Sequence, residues 1–535
     1  MASEQAVRTV VKRGSYHDSV VLMLVTRELS GHEGVVDASV VMGNEMNLAL
    51  LRQNGLLPPD PEEIGPNDLV IAVRAENEEF AQRALDTAER LLAEQAPSQE
   101  KGESAVRPRS VRSAKRMAPK ANVAIISVAG RYAVGPAWDA LLEGLHVLLF
   151  SDHVGLEDEL ALKRHARDHG LLLMGPGAGT AILNGVGLGF ANVVPRGPVG
   201  IVSAAGTGLQ EVSCLIATAG EGITQGIGTG GRDVSEAVGG ITMLQGMDAL
   251  QQDPDTRVLV VVSKVASRTV VQRIIDQAAR SDKPAVLALM GTEQVFDLPP
   301  GVHQASTLRE AAALAVALAR GEALAGVRER LSADEETIRA RGRTLAERLG
   351  DSQRYVRGLF SGGTLCEEAM FLWQRRLGAV WSNAPIGQCR KLPDSLRSQE
   401  HTAIDMGEEE FTVGRPHPMI DNLLRVERIR QEARDPETAV ILLDVVLGHG
   451  AHPDPASELG PAIAEAHDIA ARGGRDLVVI ASVTGTEGDP QGLTRQQQTL
   501  VEAGAIVMDS NASAALLAEA VVGGHRRQVS HGERD

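Results

Sequence analysis

A short apolar strand that runs into Ser-Gly-Gly-Thr and then into a helical pattern is the first part of this sequence that could do chemistry. Residues 356–370 read VRGLFSGGTLCEEAM, which predicts a strand, a glycine turn and a helix N-terminus. Such a turn brings unpaired backbone N–H groups, hydroxyls and the positive end of a helix dipole to one point, which suits an anion. The phosphate-binding residues predicted here are Ser361, Gly362, Gly363 and Thr364.

The same pattern occurs earlier in the chain. Residues 199–214 read VGIVSAAGTGLQEVSC, again a strand, a glycine turn and a helix. Each copy is followed by a similar tetrapeptide, Asp-Pro-Asp-Thr at 253–256 and Asp-Pro-Glu-Thr at 435–438. A strand with the composition of a buried strand comes next in both copies. We interpret this repetition as an internal duplication that places two helix N-termini opposite each other. The phosphate-binding residues predicted in the first copy are Ser203, Gly206 and Thr207.

The loop that follows the strand AVILLD carries the strongest acid–base candidates. It contains Asp444, His449, His452 and Asp454. Carboxylates and imidazoles at the carboxyl end of a strand are where α/β enzymes place such groups, so the catalytic candidates are Asp444, His449 and His452. A structural loop and a divalent-ion site are the alternatives. Spacing identifies no further ligand for an ion, so we predict no metal site.

Two other sets of residues have a functional and an ordinary interpretation. Gly130 and Gly135, in VAGRYAVGP, lie where a nucleotide-type cradle would bind a cofactor, although the spacing is not GxGxxG and an ordinary tight turn is the alternative. Cys214 and Cys366 follow the two anion turns. A helix N-terminus can activate a thiol, but free cysteines are more often small buried hydrophobes, and we favour burial for both.

Composition limits the class of protein. A chain of 535 residues is too long for one core. Its net charge of -17 argues against binding to nucleic acid or to an anionic membrane, and favours a small-molecule substrate. Three cysteines without CxxC spacing support neither a disulfide framework nor a cysteine zinc site, and favour the cytoplasm. No signal peptide or membrane-spanning run is recognised.

The elements that must position these residues alternate between strand and helix, which predicts α/β domains with parallel sheets and a ligand edge at the strand C-termini. We predict a small N-terminal α/β domain, a linker, a β-α-β domain, a first duplicated unit, a connecting helix pair, a second duplicated unit and a disordered tail. Their bounds are 1–95, 96–120, 121–194, 195–320, 321–353, 354–522 and 523–535.

Several blocks carry a family resemblance. MGPGAGTAIL, GPVGIVSAAGTG, GIGTGGRD and DPDTRVLVVV are similar to the α-subunit of succinyl-CoA synthetase. With LFSGGTLCEEAM, FTVGRPHPMID, LDVVLGHGAHPDP and GTEGDPQ, nearly the whole chain resembles the FdrA family of acyl-CoA-synthetase-like proteins. The resemblance implies that residues 121–194 form a Rossmann-like CoA-binding-type domain. It also implies two flavodoxin-like ligase domains of the succinyl-CoA synthetase type, whose paired helices hold a phosphoryl group between them.

One departure from that pattern affects the chemistry. The synthetases continue into a loop with Gly-His-Ala-Gly-Ala, whose histidine is phosphorylated, whereas this sequence has GTEQVFDLPPGVHQASTLRE. His303 lies near the corresponding place but lacks the flanking glycines and alanines, and we predict that it is a surface histidine that is not phosphorylated. No ATP-grasp domain is recognised either.

Three functions fit the resemblance. The first, which the sequence favours, is a subunit of an oxamate carbamoyltransferase-like enzyme of allantoin and purine breakdown, with carbamoyl phosphate in place of acyl phosphate. The second is an acyl-CoA synthetase of the succinate–CoA ligase type, NDP-forming, with CoA bound at Gly130 and Gly135. The third is a non-catalytic regulator that binds acyl phosphate or CoA. Phosphate is the expected substrate or ligand, CoA a further cofactor, and other protein subunits the expected partners.

Overall fold

The computed structural model describes residues 5–15, 17, 19–58, 64–95, 108–291, 296–413 and 415–532. The chain divides into two compact units. The first comprises Met1–Val106 and Met406–Asp421, and the second comprises Arg107–Asp405 and Asn422–Asp535. In the described part of the chain, no helix is long and apolar enough to cross a bilayer.

The first unit contains a three-stranded antiparallel sheet in the order β1-β3-β2. Apolar residues alternate along β2 and fill β3, and they form a core with Leu22, Val25 and Leu29 of the first helix. This confirms the predicted small N-terminal α/β domain. Its elements are β1 (Ala6–Lys12), α1 (Ser19–Ser30), β2 (Val35–Met42), α2 (Glu45–Gln53), β3 (Leu69–Ala75) and α3 (Glu78–Gln95).

The second unit begins with a small three-stranded parallel sheet in the order β4-β5-β6. It is preceded by a helix inside the predicted linker, of which residues 96–107 lie outside the described residues. The elements are α4 (Val111–Met117), β4 (Val123–Ile126), α5 (Val134–Leu142), β5 (His146–Leu149), α6 (Leu156–Asp168) and β6 (Leu173–Met174).

The first of two large sheets has seven strands in the order β13-β12-β11-β9-β10-β7-β8. Its first five strands are parallel, and β7 and β8 are added antiparallel to the edge. The predicted boundary at residue 194 is therefore wrong, because residues 180–189 pair with this sheet. The elements are β7 (Thr180–Leu183), β8 (Val186–Gly189), β9 (Arg196–Ser203), α7 (Gly206–Thr218), β10 (Ile223–Gly228), α8 (Ile241–Gln252), β11 (Val258–Ser263), α9 (Arg268–Ala278), β12 (Ala285–Leu289), β13 (Val302–Ala305) and α10 (Leu308–Arg320).

The second large sheet also has seven strands, all parallel, in the order β16-β15-β17-β14-β18-β19-β20. A short helix, α13 (Glu409–Thr412), belongs to the first unit. The elements are α11 (Leu324–Ala346), β14 (Tyr355–Phe360), α12 (Gly363–Trp373), β15 (Val380–Ser382), β16 (Arg390–Lys391), β17 (His401–Asp405), α14 (Leu423–Arg434), β18 (Thr438–Val446), α15 (Pro455–Arg472), β19 (Val478–Thr484), α16 (Leu493–Glu502), β20 (Ile506–Met508) and α17 (Asn511–Gly532).

Two predictions about the helices are wrong. The connector is one helix of 23 residues, α11, rather than a helix pair. Alanine, arginine and glutamate are good helix formers, and no proline interrupts the run. The segment 523–532, predicted to be disordered, continues α17. Helix α17 packs along α11, and Gly342 makes this close approach possible because a Cβ there would lie 2.5 Å from the Cβ of Ala520.

The duplication is visible in the structure. In both large sheets the strand before the anion turn, β9 or β14, is the central one, with neighbours on both sides. In both DP turns the aspartate accepts a backbone N–H from two residues later, from Asp255 to Asp253 at 3.1 Å and from Glu437 to Asp435 at 2.9 Å. Since strand order reverses at these central strands, each sheet has a crevice at its carboxyl edge where ligands bind in such folds.

Candidate functional site

Helices α7 and α12 start from the carboxyl ends of the two central strands, and their N-termini lie against each other. A Cβ added to Gly362 would lie 2.9 Å from Cγ2 of Thr207, and a Cβ added to Gly208 would lie 3.1 Å from Cγ2 of Thr364. Each threonine methyl therefore packs on a glycine of the opposite turn. The predicted proximity of the two turns is confirmed, whereas anion binding between them stays a prediction.

The two threonine hydroxyls have no partner in this arrangement. Thr207 is 7% exposed and Thr364 is 2% exposed, yet neither hydroxyl forms a hydrogen bond with another described residue. The backbone N–H groups of Gly206 and Gly363, the first residues of the two helices, likewise have no acceptor in the described part of the chain. The start of a helix leaves such donors available to a ligand. An anion with several acceptor oxygens would satisfy all four groups.

Part of the predicted phosphate site is occupied by the protein itself. The carboxylate of Asp444 accepts the backbone N–H of Ser361 and that of Gly362, both at 2.7 Å, and the Ser361 hydroxyl at 3.0 Å. Arg425 contacts the same carboxylate at 3.1 Å. In the first turn, the Ser203 hydroxyl bonds to the backbone of Ala205. Ser203, Ser361 and Gly362 therefore shape the turns, and their contact with phosphate stays a prediction.

The proposed acid–base set is not assembled. Asp444 is completely buried, and its carboxylate positions the α12 turn. His449 is exposed, and its backbone pairs with Ala191 as an isolated antiparallel bridge. His452 is 3.1 Å from Glu458 and accepts the backbone N–H of Asp454, so it belongs to the turn before α15. The structural-loop interpretation fits these contacts. No group of three metal-ligating side chains occurs among the described residues.

Sequence reasoning missed Lys264, which lies beside the open side of the two turns. It directly follows β11, the neighbour of β9. Its Cδ would lie 3.5 Å from a Cβ on Gly231, and its Nζ 3.8 Å from a Cβ on Gly363. The ammonium is 3.0 Å from the carboxylate of Glu367. The signal that could have found it is position: residues at the carboxyl end of a strand next to the central strand face the crevice.

Behind the turns, two buried glutamates link the helices. Glu211 and Glu368 lie one helical turn after Thr207 and Thr364, and Asn511 connects them. The Asn511 backbone N–H donates to Glu211 at 3.0 Å, and its side-chain amide donates to Glu368 at 2.8 Å. Burial raises the pKa of both carboxyls, that of Glu368 to about 7. This network fixes α7 and α12 against the start of α17.

Gly130 and the two cysteines have ordinary structural roles, and cofactor binding at Gly135 stays a prediction. A Cβ on Gly130 would lie 1.9 Å from the carbonyl oxygen of Asp152, so the turn itself requires glycine, whereas a Cβ on Gly135 would meet open space. Cys214 and Cys366 are buried, and burial raises the pKa of both thiols well above its usual value. The interpretation of both cysteines as buried hydrophobes is confirmed.

His303 is not the exposed loop residue that the sequence suggested. It lies in β13 and is half-buried, and this burial together with Arg328 lowers the pKa of its imidazole. It lines a cavity of about 450 Å³ with Phe371 and Arg375 of the α12 segment. Its position in an edge strand differs from that of a histidine on a long glycine loop.

Comparison with known families matches three parts of the chain. Residues 359–521 match the model described as CoA-ligase, residues 196–302 match the CoA binding domain, and residues 4–108 match "AllF, heavy metal-associated domain". The CoA binding domain match covers strands β9 to β12 of the first large sheet and does not include residues 121–194, for which the sequence predicts that domain. The segment 4–108 contains no cysteine, and its described residues hold no cluster of metal ligands, so they do not fit a heavy-metal site.

The chain is also similar to individual proteins. The chain is 41% identical to the uncharacterized protein YahF of Escherichia coli K12 over 514 residues, 96% of this chain and 98% of that protein. It is 26% identical to the succinate–CoA ligase [ADP-forming] subunit alpha of Methanothermobacter thermautotrophicus over 183 residues, 34% of this chain and 59% of that subunit. A solved acetyl-coenzyme A synthetase 1 of Ca. Korarchaeum cryptofilum, in complex with phosphate and ADP, is 17% identical with a TM-score of 0.27, covering 77% of this chain and 84% of that one.

Proposed function

Since the chain belongs to the FdrA family of acyl-CoA-synthetase-like proteins, we propose that it is a ligase-type enzyme that transfers an acyl group between phosphate and the thiol of CoA. One observation carries the proposal. The N-termini of α7 and α12 converge, and at that point the largely buried residues Thr207 and Thr364 offer hydroxyls that have no partner among the described residues. A phosphoryl group is the ligand whose oxygens match these donors.

The site suits the phosphate half of an acyl phosphate. Each helix contributes about half a positive charge at its N-terminus, so two converging helices favour the charge that phosphate gains as it leaves the acyl carbon. In that step the thiol sulfur bonds to the carbonyl carbon, the carbon–oxygen bond to phosphate breaks, and the thiol proton is released. The backbone N–H groups of Gly206 and Gly363 and the two threonine hydroxyls bind the departing oxygens. Asp444 and Ser203 hold the turns in place.

CoA would supply only the thiol that accepts the acyl group. The turn after β4, which lies outside the matched CoA binding domain, offers it a surface, because Tyr132 is exposed, the Arg131 guanidinium lies 4.8 Å from the centre of its ring, and the space beside Gly135 is open. An exposed cation and aromatic ring suit a phosphorylated adenosine. Gly130 forms the tight turn rather than a cradle, because the backbone of Asp152 occupies the space that a side chain at this position would need.

Carbamoyl transfer is the second candidate. Carbamoyl phosphate would use the same phosphate site, and the placement of His303 within β13 favours a reaction that needs no phosphohistidine. Two of the three family descriptions, CoA-ligase and CoA binding domain, name CoA, and the relative with a named activity is a succinate–CoA ligase subunit, so they support acyl transfer to CoA more strongly than carbamoyl transfer to oxamate.

The two candidates differ in acceptor. Purified protein would be given a panel of acyl phosphates with CoA and, separately, carbamoyl phosphate with oxamate, with release of phosphate and formation of thioester as readouts. We expect CoA-dependent phosphate release. The paired variant Thr207→Val with Thr364→Val should lose it, while Thr337→Val on the exposed face of α11 should retain it. Phosphate release with oxamate alone would favour carbamoyl transfer, and silence with every donor would contradict both.

A further inference from the structure

Lys264 brings its positive charge close to the N-terminus of helix α12. Its Nζ is 3.8 Å from the position of a Cβ on Gly363, the first residue of α12. The N-terminus of a helix carries positive partial charge, so it repels an ammonium group and attracts an anion. The side chain reaches this point along Gly231 and is one-third exposed, which leaves its end accessible.

Two carboxylates offset this repulsion. Glu367, one turn into α12, contacts the ammonium at 3.0 Å. The carboxylate of Asp405 also approaches Gly363, since its Oδ2 would lie 2.6 Å from a Cβ there. The second oxygen of Glu367 is buried and has no hydrogen-bond partner among the described residues. The pair is therefore incompletely satisfied, which makes it easier to exchange for another partner.

We propose that Lys264 is the cationic contact of the anion held between α7 and α12, and that Glu367 is its partner only while the site is empty. The ligand class is inorganic phosphate or the phosphoryl end of an acyl phosphate. On binding, the flexible ammonium swings from Glu367 to a phosphoryl oxygen, a role that suits a lysine point charge. The inference rests on the proposed phosphate site and adds a residue to it that the helix N-termini do not supply.

Substitutions of Lys264 and of Glu367 should change the affinity for phosphate in opposite directions. Removing Lys264 deletes an attractive charge, so affinity for phosphate should fall by about tenfold or more, the usual worth of a charge-assisted hydrogen bond. Neutralising Glu367 deletes a competitor for the ammonium and a carboxylate that repels the anion. Affinity should then rise by severalfold, mainly through Lys264.

Calorimetry of the full chain with inorganic phosphate tests this with Lys264→Ala, Glu367→Gln and both together. Arg268→Ala is the control, because it removes an exposed positive charge at the first residue of α9, four residues after Lys264. We expect weaker binding for Lys264→Ala, tighter binding for Glu367→Gln, a clearly smaller gain from Glu367→Gln when Lys264 is absent, and no change for Arg268→Ala. Folding is checked by far-ultraviolet circular dichroism.

The possible results distinguish the role of Lys264 from the existence of the phosphate site. If the unaltered protein binds phosphate and Lys264→Ala binds it equally well, the role of Lys264 is wrong while the phosphate site stands. If Glu367→Gln tightens binding equally with and without Lys264, the exchange of partners is wrong. If the unaltered protein binds no phosphate, the proposed function and this inference both fail.

Discussion

Asp444 stabilises the turn before α12 by hydrogen bonds to Ser361. Its carboxylate accepts the backbone N–H of Ser361 at 2.7 Å and the Ser361 hydroxyl at 3.0 Å. The N–H of Gly362 completes the set, and Arg425 balances the charge. The turn thus binds a built-in anion at its base. Its next residues, Gly363 and Thr364, remain available to a ligand.

Asp444→Asn should destabilise the protein by about 3–5 kcal/mol, as expected when a buried ion pair loses one partner. An amide nitrogen would face the donors of Ser361 or Gly362, and Arg425 would be left without its buried counter-charge. The measurement is urea unfolding. Asp454→Asn, which alters a partly exposed carboxylate beside Arg495, should cost less than about 1 kcal/mol. Equal losses in the two variants would show that Asp444 has no special role.

Gly363→Val should abolish phosphate binding. The added side chain fills the space through which an anion approaches the N-terminus of α12, and its Cβ would lie 2.6 Å from Oδ2 of Asp405, which must rotate away. Calorimetry with phosphate and with sulfate is the measurement. Gly326→Val, in the exposed part of α11, serves as the control for a valine in a helix. Retained affinity in a folded Gly363→Val protein would remove this turn from the site.

The buried carboxyl of Glu368 should make stability depend on pH. Burial raises its pKa to about 7 from 4.5, so the folded protein holds a proton that the unfolded chain releases between these values. Because the folded state binds more protons there, stability should fall as pH rises from about 4.5 to about 7 and then level off.

The test compares the free energy of unfolding of Glu368→Gln with that of the unaltered protein across this pH range. The difference between the two should shrink or change sign as the glutamate ionises, because glutamine cannot titrate. Parallel pH profiles would mean that Glu368 titrates normally in the folded protein.

His303 should carry no phosphoryl group. It lies in β13, half-buried, rather than on a loop that can swing between sites. After incubation with labelled ATP and Mg²⁺, the protein should retain no acid-labile, base-stable label. Stoichiometric label that disappears in His303→Asn would restore the phosphohistidine mechanism.

The sequence allowed the fold and the two turns to be predicted because their signals are local or repeated. A strand, a glycine turn and a helix follow one another within about a dozen residues, and the DP turns mark the repeat twice. The parallel order then requires both turns to lie at carboxyl edges. The sequence does not predict that Gly208 and Gly362 each pack against a threonine of the opposite turn. That contact depends on how the two large sheets pack together.

The roles of the other site residues depend on contacts between distant parts of the chain, which the spacing of residues in the sequence does not reveal. Asp444 lies in a strand and was predicted to be catalytic, because from sequence a carboxylate at a strand end looks the same whether it faces solvent or a neighbouring turn. Lys264 lies in SKVAS, which is not a motif, and its partner Glu367 is about a hundred residues away in the chain. The edge strands β7 and β8 were missed because their short apolar runs resemble a loop.

The central claim is that one anion contacts both helix N-termini, and phosphate calorimetry with Thr207→Val, Thr364→Val and the double variant tests it most directly. The account predicts one phosphate per chain, weaker binding in each single variant, and a double variant whose loss is not the sum of the two, since both hydroxyls contact the same ion. Phosphate should also stabilise the chain, by about 2.7 kcal/mol at 100 times its dissociation constant. Two phosphates per chain, each lost with one threonine alone, would contradict the shared site.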